Sequence, residues 1–290
     1  MKIKEALTQA SYNISKKWQE TPLLDAQVIL QKLTGTTKEK LIASYNCELN
    51  ENILNDFNLM VGKRVSGYPV AYITGEKEFF GRSFSVNENT LIPRRDTETI
   101  VETVLEEAKK IIKTDLLPIK ILDLCTGSGC IAITLKCELG EKVNIEASDI
   151  SAEAEKIFYK NCENILGKKL NFYKSYLFNS ITNRYHIIVS NPPYLTNMHV
   201  DEMVSNNWPE PEISLRGGND GLDFIREITE AAEKYLEEGG LLCMEADPSQ
   251  MNIIKELLKN NNFEYISIKK DMSQRERVIS GYYPRNFIKK

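Results

Sequence analysis

The stretch that decides the fold is Ile121-Leu122-Asp123-Leu124-Cys125-Thr126-Gly127-Ser128-Gly129-Cys130. An apolar run of strand length ends in an acid and two alternating glycines, and a helical run, 131–139, follows. Glycines at 127 and 129 let the backbone turn sharply and let a ligand approach the main chain where a Cβ would collide. In open α/β sheets ligands bind beyond the carboxyl ends of the strands, which is where this loop falls. The next strand ends at Asp149, and a carboxylate about twenty residues past the loop suits the two hydroxyls of a ribose. The glycine spacing misses the nucleotide fingerprint Gly-x-Gly-x-x-Gly, because Ile131 and Ala132 occupy the downstream positions.

Downstream of the loop, helical patterns alternate with short apolar runs at 143–148, 171–173, 187–190 and 241–245. With 120–124 as the first strand, that alternation predicts βαβ units and a largely parallel sheet covered on both faces by helices, an α/β fold. Upstream the period changes. Ile3, Leu7, Ala10 and Ile14 share one helical face. Thr21-Pro22 opens a second helix that Gly35 stops, residues 38–44 fit a third, and Ile53, Phe57, Met60 and Val61 mark a fourth. Four short amphipathic helices predict a small bundle. Between bundle and sheet, Phe79, Phe80, Phe84, Val86, Leu91 and Ile92 fall in extended runs broken by Gly81-Arg82-Ser83 and Asn87-Glu88-Asn89, which reads as a β-hairpin connector. The expected division is a helical domain at 1–75, a hairpin linker at 76–96 and a sheet domain at 97–290. Lys289-Lys290 reads as a solvated tail.

Length and composition bound the function. The 290 residues suffice for about two domains, and 42% hydrophobic with 27% charged residues is ordinary for a globular chain. No apolar run reaches the ~18 residues of a membrane span, and Lys2, Lys4 and Glu5 do not begin a signal peptide. A net charge of −4 is the wrong sign for coating nucleic acid. Six cysteines without a Cys-x-x-Cys pair, and two histidines, do not spell a zinc site, so the cysteines read as reduced thiols in a cytoplasmic protein. No metal is expected.

Asp123-x-Cys125-x-Gly127-x-Gly129 resembles motif I, (Asp/Glu)-x-Gly-x-Gly-x-Gly, of the S-adenosylmethionine-dependent methyltransferases. Cys125 stands where that pattern has its first glycine. The resemblance implies a Rossmann-like class I sheet and a cofactor site built from Asp123, Cys125, Thr126, Gly127, Ser128, Gly129, Asp149 and Ile150.

A later strand, 187–190, runs into Asn191-Pro192-Pro193-Tyr194. Consecutive prolines fix two φ angles and remove two donors, so the chain leaves the strand stiff and exposed. A bare Pro-Pro is more often a rigid loop. Here the chemistry is specific. To methylate a planar nitrogen with a delocalised lone pair, an enzyme must hold both N–H groups and aim the π face of the nitrogen at the methyl donor. The Asn191 side-chain oxygen and the Pro192 carbonyl can accept those hydrogen bonds while Tyr194 stacks on the planar group. No general base is needed first, since a methylated amide nitrogen is strongly acidic. The tetrad resembles motif IV of the amino-methyltransferases, which act on adenine N6 or glutamine nitrogen.

The rest of the chain chooses between them. Residues 64–81 (RVSGYPVAYITGEKEFFG), 91–98 (LIPRRDTE) and 210–222 (EPEISLRGGNDGL), with Asp271, Arg277 and Val278, resemble the release-factor glutamine methyltransferases, the PrmC/HemK family, in order and over nearly the whole chain. The resemblance implies N5 methylation of the glutamine in the Gly-Gly-Gln motif of class 1 peptide chain release factors. The donor becomes S-adenosylhomocysteine, the helical domain grips the release factor, and Phe79, Phe80 and Tyr194 wall the glutamine pocket. Tyr176 and Leu177 fall where the family contacts adenine, with core packing an equal reading for Leu177. Asn191 joins the cofactor residues. Arg94, Asp96 and Glu98 read as a salt-bridge network, His186 and His199 as residues without catalytic duty, and the enzyme as a monomer. Arg95 and the acid in Glu245-Ala246-Asp247 depart from the family pattern. Two rivals are an adenine-N6 methyltransferase acting on DNA or ribosomal RNA, which the charge and the helical N-terminus disfavour, and a non-catalytic binding module, which has no use for the tetrad.

Overall fold

The computed structural model describes residues 1–113 and 118–284, so the Lys289-Lys290 tail lies outside the described residues. The chain divides into two compact units, Met1–Glu76 with Asn207–Pro209, and Lys77–Asn206 with the remainder from Glu210.

The first unit is helical: α1 (Ile3–Ser15), α2 (Pro22–Thr34), α3 (Lys38–Ala43), α4 (Glu51–Ser66) and α5 (Val70–Thr74). Pro22 sits in the first turn of α2, where a missing N–H costs nothing, and Gly35 ends that helix at φ 65°. The apolar stripes meet in a core where Ile14, Ile29, Leu30 and Phe57 are fully buried. Arg64 Nε donates to Asp25 Oδ2 at 2.7 Å, and its guanidinium stacks over Trp18. The fifth helix was not expected; five residues are too few to show a period, and its markers are Pro69 before it and Gly75 (φ 74°) after it.

The second unit carries a seven-stranded sheet: β3 (Ile119–Leu124), β4 (Val143–Asp149), β5 (Asn171–Lys174), β6 (Tyr185–Ser190), β7 (Leu236–Glu245), β8 (Glu264–Lys270) and β9 (Glu276–Tyr282), in the order β5-β4-β3-β6-β7-β9-β8. The first five strands are parallel; β9 and β8 are antiparallel. Two apolar layers cover the faces, one including α6 (Glu98–Ile112), α7 (Cys130–Leu139) and α8 (Ala152–Leu166), the other including two helices further along the chain, α9 (Asp223–Ala231) and α10 (Met251–Asn260). After β5 the order returns across β3 to β6, which makes the carboxyl ends of β3, β4 and β6 a topological switch point, where open α/β sheets bind ligands.

The hairpin is a correction. Its strands are β1 (Glu76–Phe79) and β2 (Arg82–Ser85), joined by Phe80 and Gly81, both at positive φ. It is no free connector, because Phe79 (1% exposed) and Phe84 lie in the sheet unit's core with Ile100 and Val104. Burial on this scale ties the hairpin to the sheet more strongly than sequence adjacency ties it to the bundle.

Candidate active site

The glycine loop is built from its neighbours. Asp123 Oδ2, fully buried at the end of β3, accepts from Thr126 Oγ1 at 2.6 Å and from the Ala132 amide in the first turn of α7 at 3.1 Å. That bracket closes the loop onto the helix N-terminus. Burial raises the Asp123 carboxyl to about 7, and its Oδ1 has no partner. Asn161, fully buried in α8, donates to the carbonyls of Ser128 (2.9 Å) and Ser85 (3.0 Å) and accepts from the Ser85 amide, sewing the loop to the hairpin. No local sequence signal marks this residue.

The two glycines serve different ends. A Cβ on Gly129 would sit 2.6 Å from the Phe158 ring, so Gly129 is required by packing. A Cβ on Gly127 would meet nothing within 4 Å, and its φ of 54° together with the bond from its amide to Asp149 Oδ2 (2.9 Å) accounts for the residue. Cys125 adopts φ 58°, the left-handed region that costs a residue with a Cβ about 1–2 kcal/mol. Asp149 also accepts from the Ser151 amide at 2.9 Å; burial raises its pKa, against these amide bonds.

A cavity of about 230 Å3 opens at the switch point. Cys125, Gly127, Asp149, Ile150, Tyr176, Leu177, Asn191 and Pro193 all line it, eight of the residues singled out from sequence. Asn89, Thr90, Leu91, Ser148, Ser151, Ala154, Ser175, Ile213, Ser214 and Phe224 complete its walls and were not named as site residues. Leu91 is placed by Glu210, whose buried carboxylate accepts from the Ile92 amide at 3.0 Å and pairs with Arg94. Asp123, Thr126, Ser128 and Gly129 stand behind the lining as the loop's frame. Phe79 and Phe80 do not face the cavity: Phe79 is core, and half-buried Phe80 packs on the same cluster, so the expected aromatic wall is not formed by them.

The tetrad leaves β6 beside this cavity. Asn191 Nδ2 donates to Thr97 Oγ1 at 3.3 Å, and Tyr194 Oη donates to Glu245 Oε1 at 3.2 Å. Glu245 is 1% exposed; burial raises its pKa to about 7, opposed first by Thr97 and then by Arg277 and Tyr194. Behind the tetrad, Gln250 Nε2 donates to the Tyr194 carbonyl, the Gly217 amide donates to the Leu195 carbonyl, and a Cβ at Gly221 would lie 2.2 Å from the Tyr194 oxygen. Gly217 and Gly221 therefore lie against tetrad backbone, at two positions that admit only glycine. The expected network of Arg94, Asp96 and Glu98 takes another form, since each pairs outside the set: Asp96 with Arg275 (2.7 Å) and Arg277, Arg94 with Glu210, and Glu98 with the Phe80 amide at 2.8 Å.

A Rossmann-like sheet with a glycine loop, an acid ending the next strand and an Asn-Pro-Pro-Tyr exit from β6 defines a class I methyltransferase, whose methyl donor is S-adenosylmethionine. The Asp149 carboxylate on the cavity wall and the open space beside Gly127 fit a polar cofactor lying against this loop. Residues 5–75 match the family model described as the PrmC N-terminal domain, and residues 97–209 match the methyltransferase small domain. A release factor glutamine methyltransferase of Haemophilus influenzae is 32% identical over 98% of this chain and all of its own length. One of Leptospira interrogans is 38% identical over 92% of this chain and 93% of its own. The chain belongs to the release factor glutamine methyltransferase family. The solved catalytic domain of hMettl16, in complex with MAT2A 3'UTR hairpin 1, shares the fold with a TM-score of 0.57 at 14% identity, over 96% of this chain and 92% of that one. No described helix is long and apolar enough to cross a membrane.

Proposed function

We propose that this enzyme methylates the side-chain amide N5 of the glutamine in the Gly-Gly-Gln motif of class 1 peptide chain release factors. The observation that carries the reading is Asn191, which lines the cavity with its Nδ2 already committed to Thr97 and its Oδ1 left to accept. In this reading Asn191 Oδ1 and the Pro192 carbonyl hold the two N–H groups of the glutamine amide, Pro193 stiffens the exit from β6, and the ring of Tyr194 packs on the amide plane. Asp149 holds the ribose hydroxyls, Gly127 and Cys125 follow the amino-acid end, and Ile150, Tyr176 and Leu177 flank the adenine. S-adenosylmethionine supplies an electrophilic methyl group on a sulfonium. The chain contributes orientation of the acceptor nitrogen and exclusion of water, and the proton leaves the methylated nitrogen for solvent because that nitrogen is strongly acidic.

The helical unit has its own core, which leaves its outer surface for recognition of the release factor, and we assign it that role. The reading has the enzyme act in the cytoplasm as a monomer, tune translation termination and make no direct nucleic-acid contact, in keeping with its net charge of −4. Incubation with methyl-labelled S-adenosylmethionine and either a class 1 release factor or an adenine-containing oligonucleotide tests it. Label in the release factor's glutamine is expected; label in the oligonucleotide alone makes the protein an adenine methyltransferase instead.

A further inference from the structure

We propose that Asn161, in α8, is a positioning residue that holds the glycine loop in its binding shape, so that affinity for S-adenosylmethionine depends on the β1–β2 hairpin. This rests on the placement of the cofactor given above and is independent of the methyl acceptor. Gly127 and Gly129 stand at φ 54° and 82° on either side of Ser128. Glycine reaches many backbone states at little cost, so a loop with two of them does not keep one shape by itself and has to be fixed from outside.

The Gly127 amide is held by Asp149 Oδ2 at 2.9 Å. The peptide unit between Ser128 and Gly129 is held at both ends: its N–H donates to the Thr126 carbonyl at 2.8 Å, and its carbonyl accepts from Asn161 Nδ2 at 2.9 Å. The Thr126 bond lies within the loop, whereas the Asn161 bond ties the loop to the frame around it. The second N–H of the same amide goes to the Ser85 carbonyl at 3.0 Å, and Oδ1 accepts from the Ser85 amide at 2.7 Å. Two donors and an acceptor on one short planar group are what only asparagine supplies at this length. Asn161 is fully buried, where an unmade hydrogen bond carries its whole desolvation cost. Phe158, one turn earlier, packs where a Cβ on Gly129 would lie 2.6 Å from its ring, and Ala154, a further turn back, lines the cavity. Residues 154, 158 and 161 follow helical spacing, so one stripe of α8 runs from the cavity past the loop to the hairpin. The hairpin end is firm, because Phe84, beside Ser85 in β2, is fully buried in the core of the sheet unit.

Calorimetry on the full-length protein tests this. Asn161→Ala should raise the Kd for S-adenosylmethionine about five- to thirtyfold, because only a fraction of the loop population keeps the binding shape. Asn161→Asp keeps an acceptor for the Ser85 amide but cannot serve both carbonyls, and should lose nearly as much. Cys162→Ala trims the next buried side chain of α8; it should lower stability and leave the Kd within about twofold. A Kd raised as much by Cys162→Ala as by Asn161→Ala overturns the proposal, since affinity would then follow stability alone. A rise for Asp149→Ala with none for either Asn161 variant overturns it while leaving the cofactor in place, whereas no rise for any of the three takes the cofactor off the loop and overturns both. A second measurement needs no variant. Coupling between sites is reciprocal, so S-adenosylmethionine should slow hydrogen exchange of the Ser85 amide in wild type by about tenfold or more and leave the amides of edge strand β8 unchanged. No slowing at Ser85 overturns the proposal even if the Asn161 variants do not fold.

Discussion

The amide of Gly127 donates to Asp149 Oδ2 at 2.9 Å, so the glycine loop after β3 takes its shape from the acid that ends β4. One carboxylate therefore shapes the loop and faces the cavity that the loop borders. Asp149→Ala is expected to weaken S-adenosylmethionine binding by about 3 kcal/mol or more, two charge-assisted hydrogen bonds, while the sheet persists. Asn191→Ala differs in kind: turnover falls sharply with cofactor affinity little changed. Calorimetry alongside initial rates separates the two, and equal losses in both quantities for Asn191→Ala would make Asn191 a cofactor ligand.

Cys125 carries a left-handed backbone with a Cβ. Cys125→Ala and Cys125→Gly both remove the half-buried thiol, but only glycine relieves the φ of 58°. The glycine variant should be the more stable by about 1 kcal/mol in urea unfolding. An alanine variant of equal or greater stability would show that the turn is not strained.

Phe79 packs edge-on to Phe84 at 6.0 Å between ring centroids, deep in the sheet unit. Phe79→Ala should cost about 3–5 kcal/mol of stability. Whatever remains folded should keep its KM for a glutamine peptide. A raised KM at unchanged stability would return Phe79 to the substrate pocket.

Asp123 titrates near 7 in the folded chain against about 4 when exposed, because burial favours its neutral form. Its folded value lies above its unfolded one, so the stability this brings is complete below about pH 4 and is lost as pH rises through 7. Asp123→Asn keeps an acceptor for Thr126 and Ala132 and removes the titration. Its unfolding free energy should vary with pH between 4 and 7 by on the order of 3 kcal/mol less than wild type, and parallel pH curves for the two proteins would refute the assignment.

Deleting residues 1–75 should leave a sheet unit that still binds S-adenosylmethionine, since the cavity is lined wholly by residues beyond Glu76. Methylation of an intact release factor should fall sharply, and of a short glutamine peptide much less. Equal losses would make the helical unit part of the catalytic structure.

The sequence exposed what is local. The glycine loop, Asp149 and the tetrad each occupy contiguous residues whose chemistry constrains their neighbours, and each falls at the cavity or frames it. β8 escaped because its apolar Ile266 and Ile268 alternate with serine and lysine on an edge strand with little burial, and β9 because no helix precedes it to signal a crossover. Asn161 and Gln250 act through partners 33 and 56 positions away, and nothing in their own surroundings marks them. Phe79 misled for the opposite reason: an aromatic pair beside a glycine looks the same whether it lines a pocket or fills a core.

β9 lies between β7 and β8 although it follows both in the chain. Synthesis therefore delivers the sheet with a gap that only a later segment can fill, and Arg277, which faces Glu245, arrives with that segment. A chain stopped anywhere before Glu276 would carry β7 as an open edge, with unpaired amides and carbonyls along Leu241 to Glu245, the arrangement most prone to pairing with a second chain. Premature stops and C-terminal nicks should thus yield insoluble material rather than a weakened enzyme, a quality-control property that follows from strand order alone.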